Sequence, residues 1–152
     1  DSGYLPQNDD SDLPSLSGGR LLIVDDNHIN LMVAEGLCQK LGYETEVAES
    51  GMEAIAVLMS TQQSFDLILM DCEMPDMDGF ETSRSIIKLQ QEGRLPWIPI
   101  VALTAHAVPD KIHACHDAGM VAHLAKPINK ARLLATLKQV LRDPGKGSRD
   151  RA

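Results

Sequence analysis

At 152 residues, with 43% hydrophobic and 24% charged side chains, the chain can bury one proper core and little more. A formal net charge of −8 argues against non-specific nucleic-acid binding, and no apolar stretch reaches the ~20 residues of a membrane-spanning helix. Cys38, Cys72 and Cys115 are odd in number, widely spaced and without a CxxC pair, which points to reduced cytosolic thiols rather than a disulfide framework or a zinc site.

Residues 1 to about 19 are rich in Asp, Ser, Gly and Pro, carry no apolar periodicity and read as a flexible linker. A first strand is expected over about 20–25, where Leu21-Leu22-Ile23-Val24 runs into Asp25 and Asp26. A helix follows at about 28–41, with Ile29, Val33, Leu37 and Leu41 on one face and Gly42 as its stop. The second strand is about 43–48. The second helix, about 51–60, opens after Ser50 with Glu53 at the capping-box position. The third strand, 66–71, repeats the opening pattern: Leu67-Ile68-Leu69-Met70 ends in Asp71. A third helix at about 79–92 is entered by an Asp78-Gly79 turn and ended by Gly93. The fourth strand is 98–103, with Pro99 near its start, where proline is tolerated. The fourth helix, about 109–117, has Pro109 in its first turn and Gly119 as its stop. A short strand at 121–124 and a last helix at about 129–142 complete the set. Leu133, Leu134, Leu137, Val140 and Leu141 form the apolar stripe of that helix. Asp143 to Ala152 reads as a disordered tail.

Five strands alternating with five helices imply an α/β fold, a parallel sheet covered on both faces. In open sheets of this kind ligands bind beyond the carboxyl ends of the strands. Asp25, Asp26 and Asp71 fall at that edge, with Thr104 just after the fourth strand and Lys126 just after the fifth. Bare carboxylates at about 4 Å repel by roughly 1–4 kcal/mol per pair. Their convergence calls for a hard divalent cation. Acids, one hydroxyl and one ammonium together suit phosphoryl transfer to a carboxylate. There the nucleophile forms an acyl phosphate, and catalysis is mostly positioning and electrostatic stabilisation.

Four motifs carry a family resemblance: Val24-Asp25-Asp26-Asn27, Met70-Asp71-Cys72-Glu73-Met74-Pro75-Asp76-Met77-Asp78-Gly79, Leu103-Thr104-Ala105 and Lys126-Pro127. In their order and placement the chain resembles response-regulator receiver domains of two-component signalling, over about 20–142. The resemblance implies a flavodoxin-like (βα)5 doubly wound sheet of strand order 2-1-3-4-5. It makes Asp71 the phosphoacceptor. It implies Mg²⁺ held by the Asp26 and Asp71 side chains, by Asp25 through water and by the backbone carbonyl of Glu73. Lys126 would pair with Asp71 at rest and with the phosphoryl group afterwards, and Thr104 would turn inward to hydrogen-bond that group. The amides of Cys72 and Ala105 would be further donors. Lys126-Pro127 is expected to be cis.

One position departs from the family pattern. A Tyr or Phe usually stands three residues before the lysine, as the ring that follows Thr104 inward. Here it is His123, a flat ring that titrates near neutrality when unperturbed. The Glu73 side chain reads as a solvated loop acid with a possible second use in steering the water that hydrolyses the phosphate. His106 stands at the mouth of the site as a bystander able to tune dephosphorylation, His113 and His116 as surface residues, and Cys72 as a small residue turned into the core. Met70, Met74 and Met77 read as packing.

The function expected is a phosphorelay receiver that takes a phosphoryl group from phosphohistidine. Val24-Asp25-Asp26-Asn27-His28-Ile29-Asn30 and Thr104-Ala105-His106-Ala107 resemble receivers fused to hybrid sensor kinases. The Ser/Asp-rich lead-in reads as a linker from an upstream domain, and the chain, starting at Asp1, as a piece of a longer one. Expected partners are a histidine kinase domain and a histidine phosphotransfer domain. Neither nucleic acid nor membrane contact is expected of this segment, and the expected location is the cytoplasm, free or below a membrane-anchored sensor. The alternatives are a free-standing single-domain regulator and a pseudo-receiver that binds without phosphorylation. A flavin module would need a hydroxyl- and glycine-rich loop where Asp25 and Asp26 stand. An aspartyl phosphatase would use Glu73 as its second acid but would also need a cap domain.

Overall fold

The computed structural model describes residues 19–60 and 64–141. The linker expected over 1–19, apart from Gly19, and the tail expected over 143–152 lie outside them. In chain order the elements are β1 (Arg20–Val24), α1 (His28–Lys40), β2 (Glu44–Ala48), α2 (Gly51–Ser60), β3 (Leu67–Asp71), α3 (Gly79–Gln91), β4 (Ile100–Thr104), α4 (Pro109–Asp117), β5 (Ala122–Ala125) and α5 (Lys130–Leu141). The strands form one parallel sheet of order β2-β1-β3-β4-β5. This is the expected flavodoxin-like arrangement.

Successive strand residues point to opposite faces, so the apolar runs feed two cores at once. Leu22, Val24, Ile68, Met70, Ile100 and Ala102 pack with Ala54 and Leu58 of α2, Ile86 of α3 and Cys115 of α4. Leu21, Ile23, Leu67, Leu69, Val101 and Leu103 pack with Leu31, Ala34 and Cys38 of α1 and with Leu133 and Leu137 of α5. A fully buried aliphatic side chain contributes about 1.5–3 kcal/mol, so the two layers hold the sheet edge as a rigid frame. Among the described residues, no helix is long and apolar enough to cross a membrane.

Three local expectations are corrected. β4 begins at Ile100, because Pro99 has no N–H to donate to the ladder; its carbonyl still accepts from Ile68 N at 2.9 Å. Thr104 is the last residue of that strand, one place earlier in the architecture than expected. On α1 the buried side chains are Leu31, Ala34 and Cys38, while Ile29 and Val33 are 64% and 50% exposed. Leu41 is buried as expected, as the C-cap, and Gly42 beyond it has φ 98°, a conformation that side chains with a Cβ resist. The capping box of α2 forms with a shift: Glu53 N donates to Ser50 Oγ, and the Glu53 carboxylate accepts from Glu49 N.

Candidate functional site

β1 and β3 are neighbours, and Val24 pairs with Met70, so Asp25 and Asp71 are adjacent at the carboxyl edge. Asp71 and Asp25 are buried to 0% and 1% exposure, whereas Asp26 is exposed. One carboxylate oxygen from each of the three lies within 4.8 Å of the others. Thr104, at the end of β4, is fully buried, and Lys126 follows β5. The expected cluster of Asp25, Asp26, Asp71, Thr104 and Lys126 therefore gathers at one edge.

Hydrogen bonds leave the buried acids half satisfied. Asp25 Oδ1 accepts from Asn27 N at 2.9 Å. Asp71 Oδ1 accepts from Lys126 Nζ at 2.8 Å and from Glu73 N at 3.1 Å. Lys126 Nζ also stands 3.4 Å from Asp25 Oδ2. Yet Asp25 Oδ2 and Asp71 Oδ2 are buried without a hydrogen bond. Burial pushes the Asp71 carboxyl up to about 6, with the Asp25 charge adding to the rise and the Lys126 ammonium opposing it. Burial alone would lower the Lys126 pKa; its hydrogen bond to Asp71 and the charges of Asp71 and Asp25 outweigh this, and the net shift is upward. Two buried carboxylate oxygens without a hydrogen bond, that of Asp25 in ion-pair range of Lys126, beside an exposed third acid, fit a hard cation that keeps part of its water, as Mg²⁺ does. Asp25, Asp26 and Asp71 are the side chains that could hold it.

The loop after β3 is shaped by backbone contact. A Cβ on Gly79 would collide with the carbonyl oxygen of Asp71 and come within 2.9 Å of Cys72 Cα, so only glycine lets α3 start this close to the acid. Asp78 caps that helix, accepting from Glu81 N at 2.9 Å, and Asp76 adopts φ 67°. Lys126-Pro127 is cis.

Cys72 is buried in the core, its Sγ 3.8 Å from Cys115 Sγ. Its amide already donates to Leu103 O at 2.9 Å. The backbone amide that faces the Asp71 carboxylate in this structure is that of Glu73, 3.1 Å from Oδ1, and not that of Cys72. Ladder pairing between β3 and β4 continues one residue past Asp71 and occupies the Cys72 N–H, which periodicity alone does not reveal.

The Glu73 side chain is not simply solvated. It is 35% exposed, with one oxygen 3.4 Å from Ala105 N and the other 3.5 Å from Thr104 Oγ1 and 3.3 Å from Lys111 Nζ. Thr104 Oγ1 also lies 3.1 Å from both His106 N and His106 O. Lys111 was not visible as a site residue in the sequence: nothing in its spacing separates it from other surface lysines. His123 stands exposed on β5, in register with Ala102, and His106, His113 and His116 are exposed as well.

Comparison with known proteins places this geometry. The family model described as response regulator receiver domain matches residues 21–138. The chain is 39% identical over 127 residues to "Hybrid signal transduction histidine kinase L" of Dictyostelium discoideum, covering 83% of this chain and 7% of that protein. It thus spans a small fraction of the curated relatives it matches. Among solved structures, the receiver domain of a sensor histidine kinase from Pseudomonas aeruginosa PAO1, with a magnesium ion coordinated in its active-site cleft, is 36% identical at TM-score 0.72, covering 84% of this chain and 100% of that one. The receiver domain of the histidine kinase CKI1 from Arabidopsis thaliana, complexed with Mg²⁺ and BeF₃⁻, is 34% identical at TM-score 0.72, covering 86% and 96%.

Proposed function

The chain belongs to the response regulator receiver domain family, a family of two-component signalling, and from that premise we propose that Asp71 is its phosphoacceptor. One observation carries the reading: Asp71 is fully buried, with Oδ1 held by Lys126 and Oδ2 free of hydrogen bonds at the edge where Asp25 and Asp26 converge. An Asp71 oxygen attacks phosphorus, the bond from phosphorus to the donor imidazole nitrogen breaks, and that nitrogen keeps the electron pair. The product is an aspartyl phosphate.

Each neighbour has a task in that step. Lys126 holds Asp71 before transfer and balances the charge of the phosphoryl oxygens after it. Thr104 Oγ1, Ala105 N and Glu73 N are the hydrogen-bond donors. Mg²⁺, held by Asp25, Asp26, Asp71 and the Glu73 carbonyl, would neutralise charge on the transferring group. His123 takes the ring position of the switch, and its exposure leaves the imidazole free to change place without unpacking a core.

The relatives, hybrid and other histidine kinases by name, support a place in such a kinase; the reading adds a kinase domain as donor and a histidine phosphotransfer domain as the next carrier. A cytoplasmic location goes with this reading. α1 supports a helical protein partner: Ile29, Met32 and Val33, one face by spacing, are 64%, 55% and 50% exposed next to the acidic edge. The test is intact mass after incubation with Mg²⁺ and acetyl phosphate. A single phosphoryl adduct that Asp71→Asn does not form is the expected result; an equal adduct on Asp71→Asn would overturn the assignment.

A further inference from the structure

The Glu73 side chain has no part in the reading above, yet it reaches into the site. Its carboxylate contacts Ala105 N at 3.4 Å and Thr104 Oγ1 at 3.5 Å. Those are the donors given to the phosphoryl group. A carboxylate and a phosphoryl group are both anions that accept from N–H and O–H, so they compete for the same donors. Contacts of this length are at the outer limit of a hydrogen bond, which makes the occupant easy to displace. The same carboxylate lies 3.3 Å from Lys111 Nζ in the first turn of α4, and that ammonium stands 5.7 Å from the Phe80 ring centroid.

We infer that Glu73 is a resident anion: at rest its carboxylate takes the Ala105 amide and contends with the His106 carbonyl for the Thr104 proton, and phosphorylation displaces it from both towards Lys111, which passes the change to α4. The inference rests on Asp71 being the phosphoacceptor. A phosphoryl group brings about two negative charges, and it cannot share two donors with a carboxylate. Glu73 and Lys111 are 35% and 36% exposed, so the pair can swing together without burying a charge. α4 is suited to respond. Cys115 is its one buried residue, and its N-cap, Val108, supplies no side-chain hydrogen bond. Elements with few buried contacts are the ones that move at low cost. This route to α4 runs from the loop after β3 and does not need the ring at His123.

The test is titration of the whole chain with beryllofluoride in excess Mg²⁺, followed by ¹⁵N NMR. Glu73→Ala keeps the backbone carbonyl and should saturate at about tenfold lower beryllofluoride than the unsubstituted protein, since no carboxylate has to leave. Lys111→Ala should still saturate, but the amides of residues 110–117 that shift in the unsubstituted protein should no longer do so. Equal affinity in Glu73→Ala, or an α4 response that survives in Lys111→Ala, overturns the resident-anion role alone. Failure of the unsubstituted protein to take up beryllofluoride overturns the phosphoacceptor reading itself.

Discussion

Asp71 shows how a site residue can weaken the fold that holds it. Its carboxyl rises from its usual 3.8 to about 6 because burial penalises the charge. An acid whose pKa is raised on folding has its full stability below the unfolded value and loses stability as pH climbs through the folded value. The loss is therefore complete above about pH 6 and amounts to up to ~3 kcal/mol. Asp71→Asn should be more stable than the unsubstituted protein at pH 7.5 without Mg²⁺, and the gap should close near pH 4. Urea unfolding at the two pH values measures this. Mg²⁺ at pH 7.5 should narrow the gap, because a ligand bound only by the folded state stabilises it. A variant less stable than the parent at pH 7.5 would contradict the electrostatic reading. Asp25, Asp26, Asp71, Thr104 and Lys126 were legible in the sequence because each follows directly on an apolar run or sits in a family motif. The Glu73–Lys111 pair was not, since it joins the loop after β3 to α4 through side-chain reach that no periodicity encodes.

At the level of elements, α1 carries the lesson about pattern. Its sequence is apolar on more than one face, so the stripe Ile29, Val33, Leu37 and Leu41 competes with Leu31, Ala34, Cys38 and Leu41. Periodicity could not choose between them; packing against Leu21, Ile23 and Tyr43 did. Ile29, Met32 and Val33, left outside, are then available to a partner. Ile29→Glu should slow phosphotransfer from a phosphorylated histidine phosphotransfer domain by about tenfold, because it puts a charge into an apolar contact. It should leave uptake from acetyl phosphate unchanged, because the small donor does not touch α1. Rates with the two donors, measured side by side, check this. Equal slowing with both would mean that the substitution disturbs the Asp25–Asn27 loop instead. β4 teaches the complementary point: Pro99 marks where a ladder can begin, and the strand start follows from its missing N–H.

Across the whole molecule, the alternation of strands and helices was readable and implied a parallel sheet with two covered faces. The order β2-β1-β3-β4-β5 was not derivable from alternation and came with the family motifs. That order sets β1 beside β3 and β3 beside β4, which brings the acids, Thr104 and Lys126 to one edge. β1, β3 and β4 are the buried centre of the sheet, and the proposed response lies in the loops beyond their carboxyl ends. The central claim is that this edge exists to phosphorylate one carboxylate. Reduction of the phosphorylated protein with borohydride converts an aspartyl phosphate to homoserine, which peptide sequencing by mass spectrometry locates. Homoserine at position 71 alone is the expected result; homoserine at Asp25 or Asp26, or none after saturating phosphodonor and Mg²⁺, would contradict it.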